Sequence, residues 1–263
     1  MIDIRQTTFG RGGGTGQGGP ISLALDRLVV SEGITLTGLR GNFQTSPAFN
    51  GTFQAKVNGQ VDILGTLAPQ EGGTAIRIRS SDAGAVMRAA GVLDKAHGGD
   101  MDLILIPLGE TGSYNGRLTA TTVRVRDAPA LADLLGAISV IGLLEQLNGQ
   151  GIVFSDVEAN FRLTPTRVIS TRGSAVGASL GVSMDGVYSL GTKLLDMQGV
   201  ISPVYIVNGI GAIFTRRGEG IFGFNYRLTG SSDDPGVSVN PLSIFTPGMF
   251  REIFRRPPPK VDE

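Results

Sequence analysis

The sequence predicts a mostly β protein, an antiparallel meander with one apolar face and a few short helices. Apolar and polar residues alternate along many segments, which is typical of strands with one buried face. Gly, Asn, Asp and Pro separate these segments, as expected for tight turns. The 263 residues include 40 Gly and 13 Pro, yet 41% are hydrophobic. That hydrophobic content favours a folded core over a disordered chain.

The alternation is clearest in three segments, 153–163, 180–190 and 222–228. In each segment the apolar residues share one side of an extended chain, so we expect them to form one continuous surface. Earlier segments at 53–57, 76–79, 101–108 and 118–126 show the same pattern. The candidate wall of the apolar face consists of Val157, Phe161, Leu163, Leu180, Val182, Met184, Tyr188, Phe222, Phe224, Tyr226 and Leu228.

Short turns are predicted between the strands. Asn58-Gly59 is the strongest hairpin signal, because this dipeptide suits a two-residue turn between alternating segments. Asn115-Gly116, Asp185-Gly186 and the run 233–236 are predicted turns of the same kind. Sequential strands joined in this way form an antiparallel meander.

Four helical segments interrupt the strands. Segment 81–93 begins at a Ser/Asp cap, and apolar residues follow at helical spacing. Asp127 is predicted to cap a segment that has Pro129 in its first turn and extends to residue 144. Gly136 and Gly142 weaken that helix, so two short helices are the alternative to one. Segment 205–214 is the third candidate.

The fourth predicted helix, 247–256, has an apolar side and a basic side. Such a composition is typical of a helix at a membrane surface or of a docking helix. A cap over an open edge of the sheet is the alternative. The residues concerned are Met249, Phe250, Arg251, Ile253, Phe254 and Arg255.

The composition excludes several functions. The net charge is +0, there is no Cys, and there is one His. These counts exclude a cysteine nucleophile, a disulfide and a zinc site built from several histidines, and they do not suggest a nucleic-acid partner. The residues around Ser179 match the G-x-S-x-G motif of a nucleophilic serine, but no His follows it in the chain to act as the base. The glycines of the loop 10–19 match the G-x-G-x-x-G motif of a dinucleotide site only because Gly is so frequent there. We therefore expect no enzyme activity, no cofactor and no metal.

The residues from 127 to 259 resemble the C-terminal region of the AsmA-like family of bacterial envelope proteins. The most specific piece is GEGIFGFNYRLTG at 218–230, preceded by MDGVYSL at 184–190 and ALADLL at 130–135. On this basis 127–256 is the AsmA-like region and 1–126 is a β-rich groove segment that matches only in its alternation. Residues 257–263 are expected to be a disordered tail.

The resemblance implies a long, curled β-sheet groove with an apolar inner face. It further implies a periplasmic location, an N-terminal anchor in the inner membrane, and a role in phospholipid transport to the outer membrane and in envelope integrity. This chain shows no such anchor, so we expect a C-terminal portion of a longer protein. The expected partners are phospholipid acyl chains, with a membrane surface or outer-membrane proteins as further candidates, and the chain is expected to be a monomer. The alternative is a structural β-sandwich or solenoid, a spacer or adhesin with a closed core and no ligand.

Overall fold

The computed structural model describes residues 2–3, 18–31, 33–203 and 223–245. Within them lie fifteen β-strands, and nearly all are long enough to carry several alternating residues. In chain order they are β1 (Ile2–Asp3), β2 (Pro20–Ser31), β3 (Ile34–Gln44), β4 (Asn50–Val57), β5 (Val61–Gln70), β6 (Gly73–Ser80), β7 (Ala96–His97), β8 (Asp100–Pro107), β9 (Tyr114–Val125), β10 (Ile152–Leu163), β11 (Arg167–Gly177), β12 (Leu180–Ser189), β13 (Leu194–Pro203), β14 (Phe224–Ser231) and β15 (Pro235–Asn240).

All these strands belong to one sheet, and their order in space follows their order in the chain. Neighbours pair in antiparallel fashion, except that β1 pairs with β2 in parallel, and the short β7 pairs with the end of β9. The sheet is not closed into a barrel, and a sheet with this many strands curls. The mostly β, curled meander predicted from the alternation is therefore confirmed.

The sheet runs without a break across position 126. β9, on one side of that position, pairs with β10 on the other side along nearly its whole length. The two predicted regions, 1–126 and 127–256, thus contribute adjacent strands to a single sheet.

Three short α-helices are present in the described part: α1 (Ala83–Ala89), α2 (Pro129–Ala137) and α3 (Ile141–Asn148). A 3-10 helix, Pro241–Phe245, follows β15. The predicted cap of α1 is confirmed, because the side chain of Asp82 accepts a hydrogen bond from the Ala85 amide at 2.8 Å. The alternative of two short helices is the correct one for the second segment, since the chain turns at Ser139, where φ is +58°.

Asp127 does not cap α2, so that prediction was wrong. Asp127 has a left-handed backbone, with φ at +53°, and Ala128 occupies the cap position without a side-chain hydrogen bond. Pro129 is at the start of the helix, as predicted. A proline there has no amide hydrogen to satisfy and its φ already suits a helix, so this helix begins without a polar cap.

The turn predictions were partly right. Asn58-Gly59 joins β4 to β5 with φ at +48° and +75°, which are the left-handed values of a two-residue hairpin turn. Asp233 and Asp234 link β14 to β15 as predicted, whereas Pro235 and Gly236, predicted as part of the same turn, begin β15. Two predicted turns, Asn115-Gly116 and Asp185-Gly186, were wrong, because they lie inside β9 and β12. Their glycines serve close packing across the sheet instead.

The helices pack on one face of the sheet, which we call the inner face; the opposite face is the outer face. α1 covers the core formed by the adjoining ends of β3, β4 and β5, where Val57 and Ile63 are buried against Ala89. α2 and α3 cover the core at β9, β10 and the strands beyond it, and α2 also contacts β15. Leu135 and Leu147 of these helices are fully buried there. All three helices therefore cover the inner face at the same end of the strands.

Candidate functional site

The strand register places the predicted wall on one face. Val157 lies opposite Ala175, and Ala175 lies opposite Val182. Directly opposite residues in antiparallel strands point to the same side of the sheet. Following the register across β10 to β14 puts ten of the eleven wall residues on the inner face: Val157, Phe161, Leu163, Leu180, Val182, Met184, Tyr188, Phe224, Tyr226 and Leu228.

The wall divides into a covered end and an open end. At the covered end, Leu180 is fully buried and Tyr226 is 4% exposed, both in one core with α2 and α3. Val157, Val182, Phe224 and Leu228 are half-buried and pack against that core. At the open end the side chains are also half-buried but belong to none of the described cores. We call these four residues the open-end patch: Phe161, Leu163, Met184 and Tyr188.

The inner face carries no charge along β9 to β15. At every inner-face position that the register of these described strands defines, the residue is apolar, glycine or an uncharged polar residue. The charged side chains of the same strands, among them Arg117, Glu158 and Arg227, alternate onto the outer face. The surface that the sequence predicted to be apolar is thus apolar across seven strands.

The outer face of the first half of the sheet is mostly polar and carries ion pairs, with a few apolar residues such as Leu64 and Ile106. Lys56 pairs with Asp62 at 3.0 Å, and Arg77 holds Asp102 with two nitrogens. The hydrogen bond and the charge of Asp102 raise the pKa of Arg77. The carboxylate of Asp102 is therefore engaged in an ion pair.

Part of the outer face of β12 to β14 carries polar side chains that are buried, which the alternation did not predict. Asp185 is 2% exposed and accepts a hydrogen bond from Gln198 Nε2 at 3.0 Å. The hydroxyl of Ser183 accepts a hydrogen bond from the Val200 amide at 3.1 Å. Alternation predicts which side a residue faces and not whether that side is covered, so no signal in these strands distinguished the two cases.

A second concavity lies over β8 to β11, and most of its lining residues belong to the outer face. Its volume is about 470 Å³, and it is lined by Ile104, Ile106, Asn115, Gly116, Arg117, Asn160, Phe161, Arg162 and Thr171. Arg117 Nε donates a hydrogen bond to Asn160 Oδ1 at 3.3 Å across its floor. No sequence motif pointed to this depression.

The weak motifs form no catalytic site. Ser179 lies in the turn between two hairpin strands, whereas a nucleophile elbow needs a strand followed by a helix. His97 lies on β7, exposed, with Arg88 Nη1 at 3.3 Å from its Nδ1. Among residues 2–3, 18–31, 33–203 and 223–245, no three His, Asp or Glu side chains could jointly hold a metal ion.

Several predicted features lie outside the described residues. They are Phe222 of the wall, the helix 205–214, the loop residues 10–17, the tail 257–263 and the amphipathic helix with Met249, Phe250, Arg251, Ile253, Phe254 and Arg255. Among the helices that are described, none is long and apolar enough to cross a membrane.

Comparisons with protein families, with curated proteins and with solved structures find no match to this chain.

Proposed function

We propose that this protein is a lipid-binding β-groove module in which the inner face of the sheet holds acyl chains. The observation that carries the proposal is the open-end patch. Four large apolar side chains remain partly exposed on an uncharged face, beside a region where the same face is covered by helices. Contiguous exposed apolar surface of this kind usually marks a binding site.

The chemistry of the inner face suits acyl chains. Burial of apolar surface is non-directional, so a hydrocarbon chain needs neither charges nor aligned hydrogen-bond donors from the wall. Covering one large apolar side chain contributes up to about 1.5–3 kcal/mol. A lipid chain lying along the four residues of the open-end patch would therefore gain several such contributions, while its headgroup remains at the rim.

The wider setting of this function is part of the proposal. The residues that resemble the AsmA-like C-terminal region support a place in the Gram-negative envelope, in the periplasm, as the C-terminal part of a protein anchored in the inner membrane. There the groove would carry phospholipid towards the outer membrane and so maintain envelope integrity. In this setting the module acts as a conduit and not as an enzyme.

The test is a count of bound lipid. The protein is expressed, purified without detergent and extracted, and phospholipid per chain is measured by mass spectrometry. We expect near-stoichiometric phospholipid in the wild type and a strong loss in Met184→Asp, because a carboxylate would be desolvated under the lipid. The matched control is Thr52→Asp, which adds the same charge at an exposed position of the outer face.

The alternative to the lipid groove is a structural spacer that binds no ligand. A β-sandwich needs a second sheet to close its core, whereas the described strands form one sheet. A folded wild-type protein that carries no phospholipid would nevertheless favour a spacer and contradict the lipid groove.

A further inference from the structure

Large side chains on the inner face lie over glycines of the neighbouring strand. The pattern recurs five times, and in each case the two residues are directly opposite in the register. The pairs are Phe43 with Gly51, Phe53 with Gly65, Phe161 with Gly116, Met197 with Gly186, and Tyr226 with Gly199.

The geometry at these pairs requires glycine. A Cβ added to Gly116 would lie 2.2 Å from Cζ of Phe161, and one added to Gly65 would lie 2.1 Å from the ring of Phe53. Ordinary van der Waals contacts of a Cβ are 3.4–4 Å. Glycine inside a strand weakens the strand and marks a close approach, and at Gly116 and Gly65 the approaching group is an aromatic ring.

The ring therefore lies flat on the sheet instead of standing upright in the groove. A flat ring adds apolar area to the floor while it leaves the space above it free. The pair of Phe161 and Gly116 is the one within the open-end patch, where no described helix covers the floor.

We propose that Gly116 is a positioning residue that sets the depth of the groove. By letting Phe161 lie flat, it fixes how much extended acyl chain the open end can hold. This inference rests on the proposed lipid-binding function and names the part of a phospholipid that the floor receives, its unbranched hydrocarbon chain.

The test compares phospholipid per folded chain after detergent-free purification. In Gly116→Ala the added methyl lifts the ring of Phe161 into the groove, and we expect a severalfold loss of bound phospholipid. Removing the ring as well, in Gly116→Ala/Phe161→Ala, frees the space again and is expected to restore most of the load. The control is Gly136→Ala, an exposed helix position where an added Cβ meets nothing within 4 Å.

If the role of Gly116 were purely structural, Gly116→Ala would lower the stability of the protein. The amount of bound phospholipid would then not depend on whether the ring of Phe161 is present. If Gly116→Ala fails to fold, Phe161→Ile makes the same test, because a β-branched side chain is stiff and cannot lie flat over the glycine. If the wild type carries phospholipid and either Gly116→Ala or Phe161→Ile carries the same amount, the inference about Gly116 is wrong. The proposed lipid-binding function would still stand in that case. A wild type without phospholipid would overturn the proposed function and this inference with it.

Discussion

The two ends of the inner face carry the same kind of residue in different surroundings. Leu180 at the covered end is fully buried under α2 and α3, while Tyr188, eight residues further along the same strand, remains partly exposed. Both point to the same side of the sheet. The helices, and not the strand pattern, thus divide one apolar face into a structural core and an available surface. Substitutions at the two ends should therefore have opposite consequences for stability and for lipid binding.

The largest effect on stability is expected at the covered end. Leu135 is 0% exposed in α2, so Leu135→Ala leaves a cavity and should lower the free energy of unfolding by about 2–5 kcal/mol. Urea unfolding measures this, with Val92→Ala, at a residue 74% exposed, as the control. Equal losses in the two variants would show that α2 does not cover a core.

The anchoring of α1 gives the next largest effect. The side-chain amide of Asn58 donates to the carbonyls of Gly33 and Ala89, at 2.7 and 2.6 Å, and its oxygen accepts from the Thr35 amide at 2.7 Å. Asn58→Ala removes all three bonds and should cost about 1–3 kcal/mol. Thermal unfolding compares Asn58→Ala with Gln60→Ala, a change at an exposed residue of the same turn. If Asn58→Ala lowers the unfolding temperature no more than Gln60→Ala does, Asn58 does not anchor α1.

A smaller effect is expected where the covered end meets the open end. The hydroxyl of Tyr226 donates a hydrogen bond to the Ser183 carbonyl at 2.8 Å, across the strand that carries Gly199. Tyr226→Phe should lower the free energy of unfolding by about 0.5–1.5 kcal/mol. Guanidinium unfolding of Tyr188→Phe provides the comparison, since no hydrogen bond of that hydroxyl is found in the described part. Equal stability of Tyr226→Phe and Tyr188→Phe would show that the hydrogen bond of the Tyr226 hydroxyl does not stabilise the fold.

The smallest effect on stability is expected at the open-end patch. Leu163 is half-buried and outside the described cores, so Leu163→Ala should change the free energy of unfolding by less than about 1 kcal/mol. The same variant should bind less phospholipid, which titration with phospholipid vesicles can measure. A loss of stability as large as that of Leu135→Ala would mean that the open end is in fact core.

Local patterns predicted the faces of the strands except across the β-bulge between Phe154 and Asp156, where Phe154 and not Val153 lies on the inner face with Val157. Alternation placed Val157, Met184 and Leu228 on one surface, and the register confirms this. Asn58-Gly59 was predicted as a hairpin turn because its residues tolerate positive φ. Such inferences succeed because side chains in a regular strand alternate along the chain, and they fail where a β-bulge interrupts the alternation.

Features that depend on contacts across the sheet could not be predicted. Gly116 and Gly186 follow Asn and Asp, which is the composition of a turn, but their role is to admit Phe161 and Met197 from the adjacent strand. The burial of Asp185 likewise depends on what covers the outer face. Neither the partner of a glycine nor the cover of a face is encoded in the alternation itself.

The most direct test of the central claim is site-specific photo-crosslinking in cells. A benzophenone amino acid is placed at Tyr188 in the open-end patch, at Leu135 in the covered core, and at Gln54 on the exposed outer face. After irradiation, mass spectrometry detects any phospholipid attached to the protein. The lipid groove predicts phospholipid adducts at Tyr188 and none at the other two positions. Adducts at Gln54 and none at Tyr188 would contradict it.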